Sequence, residues 1–217
     1  MKGIILTMLT LAVALHIHAQ EVKTVDNVPV KVSSAKAVVP IYSQRVAFQL
    51  PADWKPAFQD QNAAMFMMEF TPKDEDTQNW SNMFSIQGFK NLAARTGAEG
   101  FLDNLASGFA AACGENRVYE KYTSPDIDGF ETATAVLGCA EMPADHPTGV
   151  KKGQSEIGVY YAIKGEKDIY LIHRSIRGAA FEPSDTPITQ ANVESLIRPF
   201  SPLEVCKNTG GPAQCLK

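Results

Sequence analysis

Apolar positions along this chain fall into short runs separated by turn-forming clusters, a pattern that predicts more strands than helices. Residues 45–50 read as a first strand, ended by a turn at Pro51-Ala-Asp-Trp54. Residues 64–70 and 83–89 are continuous apolar runs of strand length, separated by the charged loop Pro72-Lys-Asp-Glu-Asp-Thr. Residues 118–122 and 130–140 form two further strands joined by a turn at Asp126–Gly129. A hairpin follows, 156–163 with 168–176, reversing at Lys164-Gly-Glu-Lys167.

Two segments carry helical signals. Thr96-Gly-Ala-Glu99 has capping-box spacing, in which the hydroxyl accepts an orphan helix N–H and the glutamate reaches back to the cap. Phe101, Leu102, Leu105, Phe109 and Ala112 then share one face, and Gly114 supplies a left-handed stop. Near the end, Thr186 is placed to cap a helix with Pro187 in its first position. Its stripe is Val193, Leu196, Ile197 and Phe200, and Pro199 ends it. Strands and helices without regular β-α-β alternation indicate an α+β fold: one antiparallel sheet flanked by two helices.

The first residues change the domain picture. Lys2, the apolar run from Ile4 to Ile17 and the small Ala19 read as a secretory signal over 1–19. Residues 20–40, polar with Pro29 and Pro40 as breakers, read as an N-terminal arm or edge strand. The domain proper is expected over 41–203 and a tail over 204–217. Loss of the signal takes the net charge from −4 to −5. An acidic, unclustered charge set argues against nucleic acid, since neutralising phosphates takes surplus lysine and arginine. No later stretch is long and apolar enough for a transmembrane anchor. A periplasmic or secreted location is expected.

Four cysteines, Cys113, Cys139, Cys206 and Cys215, suit an exported, disulfide-stapled domain. The flexible segment between Cys206 and Cys215 favours their pairing and leaves Cys113 for Cys139, with the other two connectivities open. Period-two alternation puts Ala133, Ala135, Leu137 and Cys139 on one strand face, which could pack under the first helix and bring Cys139 toward Cys113.

Candidate chemistry is sparse. Phosphate loops, dinucleotide glycine motifs and zinc-protease motifs are missing. Gly153-Gln-Ser155-Glu-Ile157 lacks the second glycine of a nucleophile elbow. Met65, Met67 and Met68 could be thioether ligands for copper, but alternation splits them between two faces and core packing explains them better. Asp126-Ile-Asp128-Gly129 starts like a calcium loop without its remaining ligands and reads as a turn. No cofactor and no metal are expected. His146 reads as a loop residue. With a two-residue turn at Gly165-Glu166, the hairpin sets Glu156 across from Ser175 and His173 diagonal to Glu156. A base, a carboxylate and a hydroxyl together are what a Ser-His-acid hydrolase needs. Polar residues also gather on the wet face of a hairpin for solvation alone, and flat strands offer no oxyanion hole.

Phe48-Gln-Leu-Pro51-Ala-Asp-Trp54, closing a first strand and followed by apolar strands and a helix, resembles the opening of PsbP-like domains. The resemblance implies an antiparallel sheet with flanking helices and a non-catalytic role in binding or assembling other proteins. The leading expectation is therefore an exported, non-catalytic binding or accessory protein with a protein partner, an inhibitor or immunity role being one form of it. Trp80, Glu156 and His173 are its candidate binding residues. The alternative is a small exported hydrolase using Glu156, His173 and Ser175.

Overall fold

The computed structural model describes residues 33–208 and Cys215. The signal reading over 1–19, and the part of the arm before residue 33, lie outside them. In chain order the elements are β1 (Ser34–Ile41), β2 (Gln44–Pro51), β3 (Trp54–Gln61), β4 (Met65–Pro72), β5 (Asn82–Phe89) and α1 (Ala98–Cys113). Then come β6 (Arg117–Tyr122), β7 (Thr132–Cys139), β8 (Gln154–Lys164), β9 (Ile169–Ala179), α2 (Val193–Ile197) and β10 (Glu204–Lys207). All strand pairs are antiparallel, so the class is α+β.

The strands make two sheets where one was expected. A seven-stranded sheet has the order β3-β4-β5-β9-β8-β7-β6, and a three-stranded sheet the order β1-β2-β10. The small sheet packs on one face of the large one. Val46 and Phe48 of β2 and Val205 of β10 meet Phe66, Phe70, Phe84 and Ile172 there. Phe48 lies 5.2 Å from Phe70 and 5.1 Å from Phe84, ring to ring. Burying aromatics of this size supplies much of the driving force for the core. The first strand begins at Ser34, inside the stretch read as an arm or edge strand, and lies at an edge of its sheet, while Glu204–Lys207 of the tail pairs with β2.

On the opposite face of the large sheet, Leu102 and Ala106 of α1 cover Ala135, Leu137 and Ala162. The half-buried Phe101, Leu105 and Phe109 flank that stripe, while Ala112 is exposed. Gly114 ends the helix with φ +59°, as its position requires. The capping box does not form. Gly97 is the N-cap, the Thr96 hydroxyl bonds to the Gly97 carbonyl, and the Ala98 N–H is accepted by Glu131 Oε1 at 2.8 Å. Cys113 and Cys139 are bridged with Cα atoms 5.4 Å apart, Cys206 and Cys215 with theirs 5.7 Å apart.

The last helix is shorter than expected. Thr186 makes a local turn with Ile188, and only Val193–Ile197 is α-helical before a 3-10 turn at Arg198–Phe200. Arg174 of β9 anchors it, donating to the Leu196 carbonyl at 2.6 Å and to Asn82 Oδ1 at 2.9 Å, with its guanidinium 5.6 Å from the Trp54 and Phe200 rings.

Candidate binding cleft

Helix α1 is one rod laid over a seven-stranded sheet. It packs mainly on β6, β7 and β8 and reaches the end of β5 where Phe101 meets Phe89 at 4.9 Å, leaving β3, β4 and the adjoining stretch of β5 and β9 uncovered. The result is a cleft of about 480 Å³ over β4, β5 and β9, within the range of ligand-binding pockets. One wall is α1, through Leu105 and Phe109. The opposite wall is Phe58 of β3, and the two lips are the β4–β5 loop with Trp80 and the β7–β8 loop with Thr148. A smaller apolar recess of about 290 Å³ lies along the same stretch of α1, by Met142 and Val150.

Strand register lays the floor in rows. Phe58, Glu69, Ser85, His173 and Tyr160 stand side by side across five strands. Beside them Asp60, Met67, Gln87 and Leu171 form a second row, and Met83 and Ser175 begin a third. Paired residues share a face, so these side chains are gathered by pleat alone.

The predicted cluster is rearranged. The hairpin turns through four residues, with Lys164 opposite Ile169, because Asp168 is drawn into the turn. Its buried carboxylate accepts from the Ser43 N–H (3.0 Å) and the Asn91 N–H (2.7 Å). The register therefore slips by an even step, which keeps every side chain on its expected face and changes its partner. Glu156 stands opposite Arg177 rather than Ser175, Ser175 opposite Gly158, and His173 opposite Tyr160. This corrects the hydrolase arrangement: Glu156 is four register positions from His173 and is held by an arginine.

His173, 9% exposed, stacks on Tyr160 with ring centroids 4.6 Å apart. Nδ1 lies 3.1 Å from Ser175 Oγ and Nε2 lies 3.4 Å from the Gln87 amide nitrogen. With Gln87 donating, the ring is the neutral tautomer that donates to Ser175. Burial holds it neutral, lowering its pKa to about 4. Ser175, 1% exposed, also meets Tyr160 Oη at 3.3 Å. A sealed hydroxyl beside a weak base, with no carboxylate orienting the ring, does not make a nucleophile. These groups form a neutral hydrogen-bonding floor.

The charged rim is built on Arg177. Its Nε donates to Glu156 Oε2 at 2.9 Å, and Nη2 donates to the Thr148 carbonyl at 3.0 Å and Thr148 Oγ1 at 3.2 Å. Its guanidinium lies 3.7 Å from the Trp80 ring. Arg177 thereby ties both lips to β8 and β9. Gly149 is needed for their contact: its φ is +98°, and a Cβ there would run into the Gln78 carbonyl. Trp80 is 7% exposed, the buried anchor of its lip rather than a protruding contact residue.

Glu69 is the remaining charge. It is half-buried, and no described residue donates a hydrogen bond to its carboxylate. Burial, with the nearby Glu156 charge, raises its pKa, and Arg177 offsets this in part. Sequence reading missed Glu69, Gln87, Arg177 and Phe109 as site residues. The one local signal was Glu69 itself, a lone acid in the apolar run 65–70.

The other candidates fall elsewhere. Met67 lines the cleft while Met68 packs against the opposite core, so the methionines divide as alternation requires. Asp128 and Gly129 (φ +52° and +78°) form a tight turn closed by Phe130 N–H to the Ile127 carbonyl. Both aspartates there accept backbone N–H groups, Asp126 from Thr132 at 3.1 Å and Asp128 from Val205 at 2.8 Å.

No protein-family model matches the chain, and no curated protein matches it by sequence. In structure it is similar to a Bacteroides thetaiotaomicron protein, at 12% identity and TM-score 0.39, covering 76% of this chain and 46% of that one. The chain thus spans under half the length of that protein. It is also similar to cyanobacterial PsbP from Synechocystis sp. PCC 6803 (13% identity, TM-score 0.39, 75% of this chain and 94% of that one). A third is LpqN of Mycobacterium tuberculosis, involved in cell envelope biogenesis (6% identity, TM-score 0.40, 80% and 91%).

Proposed function

We propose that this chain is an exported, non-catalytic binding or accessory protein that holds a protein partner in the cleft between α1 and β3. The carrying observation is the uncovered half of the sheet face: apolar walls, a neutral hydrogen-bonding floor and an unpartnered carboxylate, all positioned by rigid strands. Export is supported by the signal-like start and by two disulfides, which persist in oxidising compartments. Among the described residues no helix is long and apolar enough to cross a membrane.

The test is native mass spectrometry of the protein isolated from its own host, beside Gln87→Trp, which fills the cleft floor. A stoichiometric partner seen with the parent and lost in the variant is expected. A partner retained by Gln87→Trp, or a bare monomer from both, contradicts the reading. Ester or amide hydrolysis that disappears in His173→Ala would restore the hydrolase alternative.

A further inference from the structure

The cleft has an imbalance that its own residues do not correct. Two carboxylates line it, Glu69 and Glu156. Among the described residues Arg177 is the one cation lining the cleft, and its guanidinium is already engaged by Glu156, Thr148 and the Trp80 ring. The floor cannot supply a counter-charge, because His173 is held neutral. A carboxylate left in a half-buried setting costs stability unless something cationic arrives.

Phe58 stands beside Glu69 in the register and is 42% exposed, the one exposed large hydrophobic among the described residues. An aromatic face next to a free carboxylate suits an ammonium or guanidinium on an apolar stem, the ring taking the stem and the carboxylate the charge. The acidic character also runs past the cleft. Residues 53–81, which include its outer wall and one lip, hold six acids against two lysines. That extent exceeds the reach of a small amine and suits a polypeptide, whose approach the field would also steer.

Resting on the binding-cleft reading, we infer that the occupant is a basic, apolar segment of a partner protein, with a lysine or arginine against Glu69 and an apolar neighbour over Phe58. Glu69 then sets the charge preference and Phe58 anchors the contact.

The test uses the isotope-labelled protein and three blocked pentapeptides, Ser-Leu-X-Phe-Ser, with X lysine, norleucine or glutamate, followed by amide chemical shifts. The lysine peptide should shift the amides of Phe58, Glu69 and Gln87 saturably and bind about fivefold more tightly than the norleucine peptide. Glu69→Gln should bring it down to the norleucine level with the fold intact, and added salt should narrow the same gap. Equal binding of lysine and norleucine peptides, or preference for glutamate, overturns the inference and leaves the cleft reading standing. Butylamine shifting these amides as strongly as the lysine peptide replaces the protein segment with a small amine. Silence from every probe overturns the inference, and the cleft reading is then decided by the host-derived protein alone.

Discussion

At the scale of single residues, His173 and Glu69 show what the cleft costs the fold. His173 has its pKa lowered to about 4 in the folded chain, against about 6.5 unfolded. As pH falls through 6.5 the unfolded chain takes up the proton first, so stability present at pH 7 drains away down to about pH 4. The loss attributable to this group is about 3 kcal/mol. Urea unfolding at several pH values should show it in the parent and not in His173→Gln; identical slopes would falsify the neutral-floor assignment. Glu69 has the opposite sign. Its folded pKa is raised, so the penalty on the folded state builds as pH rises from the unfolded pKa and is full above the folded one. Glu69→Gln should therefore raise the melting temperature at pH 7 by about 2 °C, with the gain shrinking toward pH 4. A fall in melting temperature at pH 7 would mean that Glu69 has a partner within the fold. Of this chemistry the sequence disclosed only that Glu156, His173 and Ser175 share a face. The residues that hold His173 neutral come from β5 and β8, and only long-range register brings them to it.

Among the elements, the lips stand or fall together through Arg177. Its side chain is 6% exposed and pairs with Glu156. Breaking a pair this buried from one side leaves a lone charge, so Arg177→Met should destabilise by about 3 kcal/mol. Removing both charges with Glu156→Gln should cost less than the sum of the single changes. Simple additivity in that double-mutant cycle would show the pair to be uncoupled. Gly149→Ala should part the lips and shift the Thr148 and Gln78 amides without altering α1. Most strands were legible because their buried faces leave apolar runs, as in 64–70 and 83–89. β3 was not, because an edge strand with Pro56, an irregularity between Pro56 and Phe58, and the polar Gln59-Asp60-Gln61 carries no such run. The first helix was legible from its stripe, but its cap was not. Glu131 takes that role from 33 residues away, where local motif spacing has no bearing.

For the whole molecule, alternation on β7 correctly placed Cys139 under α1, and the bridge to Cys113 closes a loop with a sequence separation of 26. Chain-entropy reasoning gives it about 3 kcal/mol, so Cys113→Ala with Cys139→Ala should lower stability by that order; no change in denaturant midpoint would count against its stapling role. The fold class was legible, but the division into two sheets was not, since β10 pairs with β2 across nearly the entire chain. The central claim, that one sheet face is left open for a protein partner, is tested most directly by a photo-crosslinker at position 58, compared with one at the exposed Ser107 on α1, both expressed in the protein's own host. The account predicts a discrete protein adduct from position 58 and none from 107. Adducts of equal yield from both positions, or none from 58, would contradict it.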